Sequence, residues 1–418
     1  MNKLGLIILW VLCIQFVSAK TVFVAPTGND SDSGTLIQPF ASLMKAQQIA
    51  ESGDTVFIRG GIYRLAADVP FSNFKVNIVV NHLYKSGEQG KPIHYLAYPG
   101  ERPVFDFGNV KPLNRRVMAF RVTGSWLHLK GFEITGVQVT MQGHTQSECI
   151  HNEGSHNIYE NLAMHHSQAI GFYLTDGSDN LILNCDAYNN YDYTSEGGRG
   201  GNSDGFGCHP QPGAVNNVFR GCRAWFNSDD GYDCIRAAET VVFDNCWAMY
   251  NGYDASFKSL ADGNGFKAGG WGLKKDERVP TVVKGHVVKN CIAVGNKASG
   301  FYSNHHPSGS TWECNKAFEN SSNYNMLNRN ADFTADVPGF GHILKNNLSY
   351  RPRNSHIVQV DTALCTLSNN SFQWDNVLTD ASFISLDKNE LFKPRKADGN
   401  LPDASFIVTG KQIGRAHV

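Results

Sequence analysis

The pattern x-Gly-aromatic-x recurs five times in this sequence, at Ile170–Tyr173 (IGFY), Asp204–Gly207 (DGFG), Asp230–Asp233 (DGYD), Asn264–Lys267 (NGFK) and Ser299–Tyr302 (SGFY). In the three middle copies, the residues beside the Gly-aromatic pair include aspartates and one lysine. A position that repeats for structural reasons has therefore acquired charged side chains in neighbouring repeats. Carboxylates beside an amine are typical of a cation site next to a general base.

A second motif, a cysteine two or three residues before an alanine, follows the same period. Its members are Cys185, Cys222, Cys246, Cys291 and Cys314, with Leu162 and Leu348 in the same slot. The shortest intervals are 23 and 24 residues, and insertions lengthen the others. A period of this size indicates a repeat architecture.

The repeat units indicate strands. Each unit is too short for a strand-helix-strand crossover and consists of alternating apolar runs separated by Asn, Gly, Asp and Ser, which are turn residues. Strands that recur once per coil and stack on their own copies form a parallel β-helix, with rungs about 4.8 Å apart. We therefore predict an all-β fold, a solenoid whose like residues stack in ladders.

The ends of the chain carry other signals. Residues 1–19 have a positive start, an apolar run and a small-residue cleavage site, which predicts a secretory signal peptide. We expect residues 20–418 to form a single catalytic domain with core repeats from about 120 to 375. Residues Leu43, Ala46, Ile49 and Ala50 share one face of a short N-terminal helix. Such a helix is expected to cap the open end of the solenoid.

Composition limits the possible partners and the compartment. The net charge is −1 and no basic stripe is present, which argues against nucleic acid. No later segment is apolar enough to span a membrane, so we expect a secreted monomer, extracellular or periplasmic. Of ten cysteines, Cys13 leaves with the signal peptide. A buried ladder of thiols explains the others better than a disulfide framework, although Cys208 and Cys234 could pair.

Strand alternation places the charged residues. The aromatics Phe206, Tyr232 and Phe266 should point into the core, so the glycine and the residue after each aromatic should face outward. Asp233 and Lys267 would then share an outward column on adjacent rungs. The position before the glycine would be buried by alternation, so we place Asp204 and Asp230 at a bend that opens onto the groove.

The charged column suggests a metal-assisted reaction. Four carboxylates, Asp204, Asp229, Asp230 and Asp233, suit Ca²⁺, which takes six to eight oxygen ligands. Lys267 lies among glycines and can act as a base if nearby positive charge lowers its pKa. A cation that binds a substrate carboxylate would help Lys267 to remove the adjacent carbon-bound proton. In a uronic-acid polysaccharide this step begins a β-elimination.

Five segments resemble the pectate lyases of polysaccharide lyase family 9. They are NSDGFG, CRAWFNSDDGYD, VVFDNCWAMYNG, GNGFKAGG and AVGNKASGF, within a resemblance from about Thr21 to Asn347. The resemblance implies a right-handed parallel β-helix, a Ca²⁺ held by Asp204, Asp229, Asp230 and Asp233, and Lys267 as the base. The substrate would be an acidic pectic polysaccharide, either homogalacturonan or the rhamnogalacturonan I backbone.

Residues outside the shared motifs are expected to set specificity. The chain has histidines after DGFG and after SGF. The residues predicted to contact substrate are His209, Arg236, His305 and His306.

Two other functions fit the same solenoid. A glycoside hydrolase could use Asp204 with Asp229 or Asp230 as paired carboxylates, but it gives Lys267 no clear role. A non-catalytic glycan-binding β-helix would not need the charged column. Zinc chemistry is disfavoured because the histidines at 165–166 and 305–306 are adjacent pairs without the usual spacing.

Overall fold

A computed structural model describes residues 19–68, 70–274 and 277–409 of the chain. The predicted signal peptide, except for Ala19, lies outside the described residues. The described chain winds into coils, and most coils contribute one strand to each of three parallel sheets. The prediction of an all-β solenoid is confirmed.

The strands of the three sheets stack in the order of the chain and pair in parallel with their copies in the next coil, except that Ser72–Phe74 pairs antiparallel with Asn77–Leu83. The first sheet contains Thr21–Val24, Thr55–Ile58, Ile93–Ala97, Leu127–Lys130, Ile158–Glu160, Leu181–Leu183, Asn217–Arg220, Val241–Asp244, Val287–Lys289, Thr311–Glu313, Ile343–Lys345 and Thr366–Ser368. The second sheet contains Gly61–Arg64, Pro103–Asp106, Glu133–Thr135, Ala163–His165, Asp186–Tyr188, Arg223–Trp225, Trp247–Met249, Ile292–Val294, Lys316–Phe318 and Leu348–Tyr350.

The third sheet carries the x-Gly-aromatic-x copies. It contains Ser72–Phe74, Asn77–Leu83, Arg116–Val122, Ser147–Asn152, Ala169–Leu174, Phe206–Cys208, Tyr232–Asp233, Phe266–Lys267, Ser299–Tyr302, Ser322–Asn325 and Ser355–Val358. A small antiparallel pair adds Asn328–Arg329 and Asp336–Val337. The coils begin at Thr21, so the repeats extend well before residue 120.

Helices are few and short. The α-helix α1 spans Leu43–Ile49, and 3₁₀ turns span Ser195–Gly197, Ser371–Gln373, Asp380–Ser382 and Lys388–Phe392. No helix of the described residues is both long and apolar enough to cross a membrane.

Helix α1 covers the N-terminal end of the solenoid, as predicted. The Ser42 hydroxyl caps it by accepting from the Lys45 N–H, and Leu43 and Ala46 are buried. Ile49 is exposed, contrary to the prediction, and Gln47 is buried in its place. The Gln47 amide compensates for its burial because its Nε2 donates to the His82 carbonyl and its Oε1 accepts from the Tyr84 N–H.

Stacked aromatic rings fill the core beneath the third sheet. Phe206, Tyr232 and Phe266 are fully buried, with ring centroids 4.9 and 4.6 Å apart in successive pairs. The inward direction predicted for these aromatics is therefore correct. The stack fixes the register of the strands that carry the charged residues.

The cysteine ladder forms at the corner before the second sheet. Cys185, Cys222, Cys246 and Cys291 are fully buried there. All nine cysteines among the described residues are free thiols, including Cys208 and Cys234. A buried thiol ladder rather than a disulfide framework was the correct interpretation.

Two members of the predicted ladder are wrong by one residue. Asn315 precedes the strand Lys316–Phe318, and its Oδ1 accepts from the Cys291 N–H, so Asn315 occupies the slot assigned to Cys314. Asn347 likewise replaces Leu348. Asparagine can fill the slot because its amide bonds to the backbone of the preceding coil. A search for apolar residues at this position therefore fails to recognise it.

An asparagine ladder lines the corner between the second and third sheets. Its members, each donating from Nδ2 to the Oδ1 of the next at 2.9–3.0 Å, are Asn190, Asn227, Asn251, Asn296 and Asn320. These side chains are buried and satisfy one another. The ladder fixes the turns that lead into the x-Gly-aromatic-x strands.

Candidate active site

The charged residues lie on the outer face of the third sheet. Asp233 pairs in register with Lys267 on the next coil, and Gly207 and Tyr302 continue the column on either side. The predicted sharing of an outward column by Asp233 and Lys267 is confirmed.

The glycine of each copy does not face outward, contrary to the prediction. A Cβ on Gly205 would lie 2.9 Å from the Cβ of Ala224 and 2.9 Å from Nδ2 of Asn227. The chain bends at this glycine. Two consecutive residues therefore point inward, and the residue before the glycine joins the outward side. The bend proposed for Asp204 and Asp230 follows from this geometry.

Three of the predicted metal ligands converge. Asp204, Asp230 and Asp233 each offer a carboxylate oxygen, and these oxygens lie within 4.8 Å of one another. All three residues are buried. Asp229 belongs to a second, overlapping group with Asp230 and the exposed Asp262.

Backbone donors hold the carboxylates in place. Asp204 Oδ1 accepts from the Asp230 N–H at 3.1 Å, and Asp229 Oδ1 accepts from the Asp262 N–H at 3.1 Å. Asp230 Oδ1 accepts from both the N–H and Nδ2 of Asn264, at 2.6 and 2.9 Å. These bonds occupy one oxygen of each carboxylate and leave the second free for another partner.

Lys267 is the counter-ion of this cluster. Its Nζ lies 3.0 Å from Asp230 Oδ2 and 3.1 Å from Asp233 Oδ2. Burial disfavours the ammonium, but the attraction of Asp230, Asp233, Asp229 and Asp204 outweighs it, and the pKa of Lys267 lies well above its usual value. In this state Lys267 is protonated.

The carboxylates repel one another. Burial, followed by the charges of Asp229, Asp233 and Asp230, raises the pKa of Asp204 well above its ordinary value. Burial and the neighbouring Asp230 do the same to the pKa of Asp229. A cluster with this excess of buried negative charge is expected to gain stability from a bound cation.

The cluster fits calcium by its donor set. Both groups offer carboxylate oxygens, which suit a hard cation, and Asp230 Oδ2 is buried without a hydrogen-bond donor. Its contact with Lys267 is an ion pair that lacks hydrogen-bond geometry. The residues present are therefore able to hold Ca²⁺.

Asp262 was missed by the sequence argument. It lies outside the x-Gly-aromatic-x copy, two residues before Asn264, in an insertion absent from the neighbouring coil. It could have been identified from the sequence, because the insertion begins at the same corner of the coil as the turn that carries Asp229 and Asp230.

The predicted substrate contact His306 is wrong. His306 is fully buried, its Nδ1 accepts from the Gly270 N–H at 3.0 Å, and its Nε2 lies 3.0 Å from the Lys284 carbonyl. Burial lowers the pKa of His306 to about 4, so the ring is neutral. Its role is to hold the segment that follows Lys267, since both ring nitrogens are used inside the protein.

The other three predicted contacts remain predictions. His305 is partly exposed and pairs with Asp336 at 2.7 Å. Arg236 is exposed, and its N–H donates to the Gly270 carbonyl beside Lys267. His209 packs against Tyr173 with ring centroids 5.0 Å apart.

Two tyrosines flank the charged column and were not singled out from the sequence. Tyr173 leans over Gly207, where an added Cβ would lie 2.5 Å from the tyrosine ring. Tyr302 pairs in register with Lys267 on its other side. Both side chains are half-buried, so the charged cluster lies between two aromatic rings along the groove.

The architecture matches a known family. A family model described as the Pel9A-like, right handed beta helix region matches residues 22–347. The chain belongs to this family. The match covers most of the solenoid, including all the residues of the acidic cluster and Lys267, and the predicted resemblance is confirmed.

The chain is similar over most of its length to relatives of known name. The chain is 33% identical to pectate lyase L of Dickeya chrysanthemi, over 94% of this chain and 84% of that protein. A solved rhamnogalacturonan lyase is 46% identical, with a TM-score of 0.90, over 94% of this chain and 96% of that one. The crystal structure of pectate lyase Pel9A is 29% identical, with a TM-score of 0.72, over 94% of this chain and 90% of that one. The chain is a polysaccharide lyase.

Proposed function

We propose that this lyase cleaves a galacturonate-containing pectic polysaccharide by calcium-dependent β-elimination, with the rhamnogalacturonan I backbone as its preferred polymer. The observation that carries the proposal is the pairing of Lys267 with Asp230 and Asp233 beside converging carboxylates. The preference among polymers rests on the 46% identity to the rhamnogalacturonan lyase.

Asp204, Asp230 and Asp233 would hold the ion, and Asp229 would join them from the overlapping group. A bound Ca²⁺ supplies positive charge that attracts a uronate carboxylate and makes the neighbouring carbon-bound proton more acidic. The backbone donors on Asp204, Asp229 and Asp230 keep these carboxylates oriented.

Lys267 would remove the proton from C5 of the galacturonate. The electrons of the broken C–H bond form the C4–C5 double bond, the C4–O4 bond breaks, and O4 leaves and takes a proton from solvent. Lys267 can accept a proton only when Asp230 and Asp233 no longer hold its ammonium. If Asp230 and Asp233 bind a cation instead of Lys267, the pKa of Lys267 falls and Lys267 can act as the base.

The geometry disfavours a hydrolase. A glycosidase needs two carboxyl groups on opposite sides of the scissile bond, one protonated and one ionised. Asp204, Asp230 and Asp233 instead converge on one point, and Asp230 and Asp233 share Lys267 as a counter-ion. This arrangement favours cation binding over an acid-base pair.

The remaining expectations form part of the proposal. Residues 1–19 would direct export, and residues 20–418 would act as one secreted catalytic domain and as a monomer. The C-terminal segment supports a single unit because Leu391 and Phe406 pack on the second sheet.

The reaction type can be tested by ultraviolet absorbance. Elimination leaves a double bond conjugated with the carboxylate, whereas hydrolysis does not. The protein should release an absorbing product from rhamnogalacturonan I or polygalacturonate, lose this activity in chelator and regain it better with Ca²⁺ than with Mg²⁺. Reducing ends without absorbance would show a hydrolase, and full activity in excess chelator would exclude the metal.

A further inference from the structure

A pocket of about 460 Å³ adjoins the acidic cluster, at the edge of the third sheet where its strands begin. We call it the flank pocket. Its walls are formed by residues 191–201 and 258–262, together with Lys297. Asp262 belongs both to this wall and to the carboxylate group of Asp229 and Asp230.

Two insertions build the flank pocket. Asn190, Asn227 and Asn251 mark the same corner on three successive coils. The first and third coils insert residues 191–203 and 252–263 after this corner, while the middle coil passes directly from Asn227 to Asp230. The insertions therefore stand on either side of the short turn that carries Asp229, and they leave a space between them.

The walls of the flank pocket are fixed to that short turn. The Ser228 hydroxyl donates to the Gly200 carbonyl at 2.6 Å, and the Ala261 N–H donates to the Ser228 carbonyl at 3.0 Å. Lys297 Nζ donates to the Leu260 carbonyl at 2.7 Å. A ligand would thus meet a preformed pocket, which reduces the entropic cost of binding.

The flank pocket has an excess of positive charge. Three cations line it, Arg199, Lys258 and Lys297, against two carboxylates. Glu196 already accepts from Asn202 Nδ2, and Asp262 faces the acidic cluster. Arg199 and Lys258 are exposed and have no ion pair or side-chain hydrogen bond in the part of the chain that the structure describes.

We propose that the flank pocket binds the carboxylate of a second uronate of the polymer, with Arg199 and Lys258 as its contacts. An arginine beside a lysine suits a carboxylate, since guanidinium can bind it through two parallel hydrogen bonds. The pocket lies beside the site of the reacting uronate, because Asp230 contacts Lys267 at 3.0 Å and lies within 4.8 Å of Asp262, oxygen to oxygen. The second uronate is the next sugar but one in the rhamnogalacturonan I backbone, where rhamnose alternates with galacturonate, and the next sugar in homogalacturonan. The inference rests on the proposed function, which supplies the acidic polymer.

Binding can be measured without turnover by using the Lys267→Ala protein. Oligomers of the rhamnogalacturonan I backbone and oligogalacturonides, each of increasing length, would be titrated by calorimetry, in Ca²⁺, against this variant alone and with Arg199→Ala, Lys258→Ala or both. Matched controls are Arg64→Ala and Lys393→Ala, since both side chains are exposed and without partners among the described residues. Each pocket change should weaken binding about tenfold, as expected for a charged hydrogen bond in a partly exposed site.

Specificity for a carboxylate gives the second readout. The loss should appear only with oligomers long enough to reach the flank pocket, and it should vanish with methyl-esterified oligomers. Terbium luminescence should show unchanged ion affinity in the Arg199 and Lys258 variants. Binding within twofold of the Lys267→Ala protein for every oligomer would overturn the inference.

The failure of the proposed function would look different. If the wild-type protein neither binds oligogalacturonides nor releases an absorbing product, the acidic polymer itself is wrong. If the wild type binds and cleaves while both pocket variants behave like the controls, only the flank pocket assignment fails.

Discussion

Asp230 connects the two chemical roles of the site at the scale of single residues. One of its oxygens accepts two hydrogen bonds from Asn264, and the other pairs with Lys267 at 3.0 Å. The same carboxylate that keeps Lys267 protonated is therefore a ligand candidate for the cation. Ion binding and the proton on Lys267 are expected to be coupled through Asp230.

Replacing Asp204 with Asn should stabilise the metal-free protein at neutral pH. Burial and the neighbouring aspartates raise the pKa of Asp204, so the folded state keeps a proton that the unfolded chain releases above about pH 4. The stability contributed by Asp204 is present below that pH and is lost as pH rises through the raised pKa. In chelator, the melting temperature of Asp204→Asn should decline less between acidic and neutral pH than that of the wild type.

In calcium, the wild type should be more stable than Asp204→Asn. At 100 times its Kd, the ion stabilises a protein by about 2.7 kcal/mol, and Asp204→Asn should lose most of this gain. Asp332→Asn is the control, because Asp332 is exposed and lies outside the acidic cluster. Equal responses of Asp204→Asn and the wild type to pH and to calcium would contradict the account.

The sequence identified the charged residues because they interrupt a strict repeat. Asp233 and Lys267 could be placed by register alone, since their strands pair in parallel on adjacent coils, whereas the placement of Asp204 also required a bend before the glycine. His306 could not be placed correctly, because it lies in the turn after the strand Ser299–Tyr302 and points inward against Gly270. Repeats give no information on the direction of side chains in turns outside the repeated motif.

The asparagine ladder is the element that orients the acidic turn. Asn251 Oδ1 accepts from Nδ2 of Asn227, and its Nδ2 donates to Asn296 Oδ1, both at 3.0 Å. Asn227 lies three residues before Asp230. A break in the ladder is therefore expected to disturb both stability and ion binding.

Asn251→Ala should lower the free energy of unfolding by about 3 kcal/mol. The change removes the acceptor of the Asn227 N–H and Nδ2, and it removes the donor to the Ala224 carbonyl and one donor to Asn296 Oδ1. Each buried polar group left unsatisfied costs about 1–3 kcal/mol. Chemical denaturation measures the loss. Asn369→Ala, in an exposed asparagine pair, should lower the free energy of unfolding much less. Equal losses for the two variants would show that burial of the ladder adds nothing to its contribution to stability.

The repeat pattern predicted where the turns lie, but it did not predict the direction of the glycines or the exact residue in each ladder slot. The bends at Gly205 and Gly231 follow from close packing against Ala224 and Asn251, which the repeat pattern does not reveal. Cys314 and Leu348 missed the ladder because asparagine replaced the apolar residue. Hydrophobic periodicity recognises the slot only while its occupant is apolar.

The C-terminal segment bears on whether the whole molecule is one unit. Phe383, Leu391 and Phe406 pack against Trp247 and its neighbours on the second sheet. Arg395 pairs with Asp186 at 2.6 Å. Repeat analysis could not predict this docking, because the segment has no period.

Deleting residues 376–418 should destabilise the whole solenoid. The deletion uncovers the buried cluster of the second sheet and leaves Asp186 with one fewer cationic partner. Calorimetry of the full chain should show one cooperative transition, and the truncated protein should melt at a lower temperature or precipitate. An unchanged melting temperature would indicate that the segment is not part of the catalytic domain.

The most direct test of the central claim compares turnover with binding in Lys267→Ala. The account predicts that kcat falls by a factor of about 10² to 10⁴, which is the typical contribution of a general base. Ca²⁺ binding and substrate binding should be retained. Lys267→Arg should not restore turnover, since guanidinium stays protonated. The wild-type rate should rise on the alkaline side as Lys267 loses its proton. A Lys267→Ala enzyme that keeps a tenth or more of the wild-type kcat would contradict the assignment of Lys267 as the base.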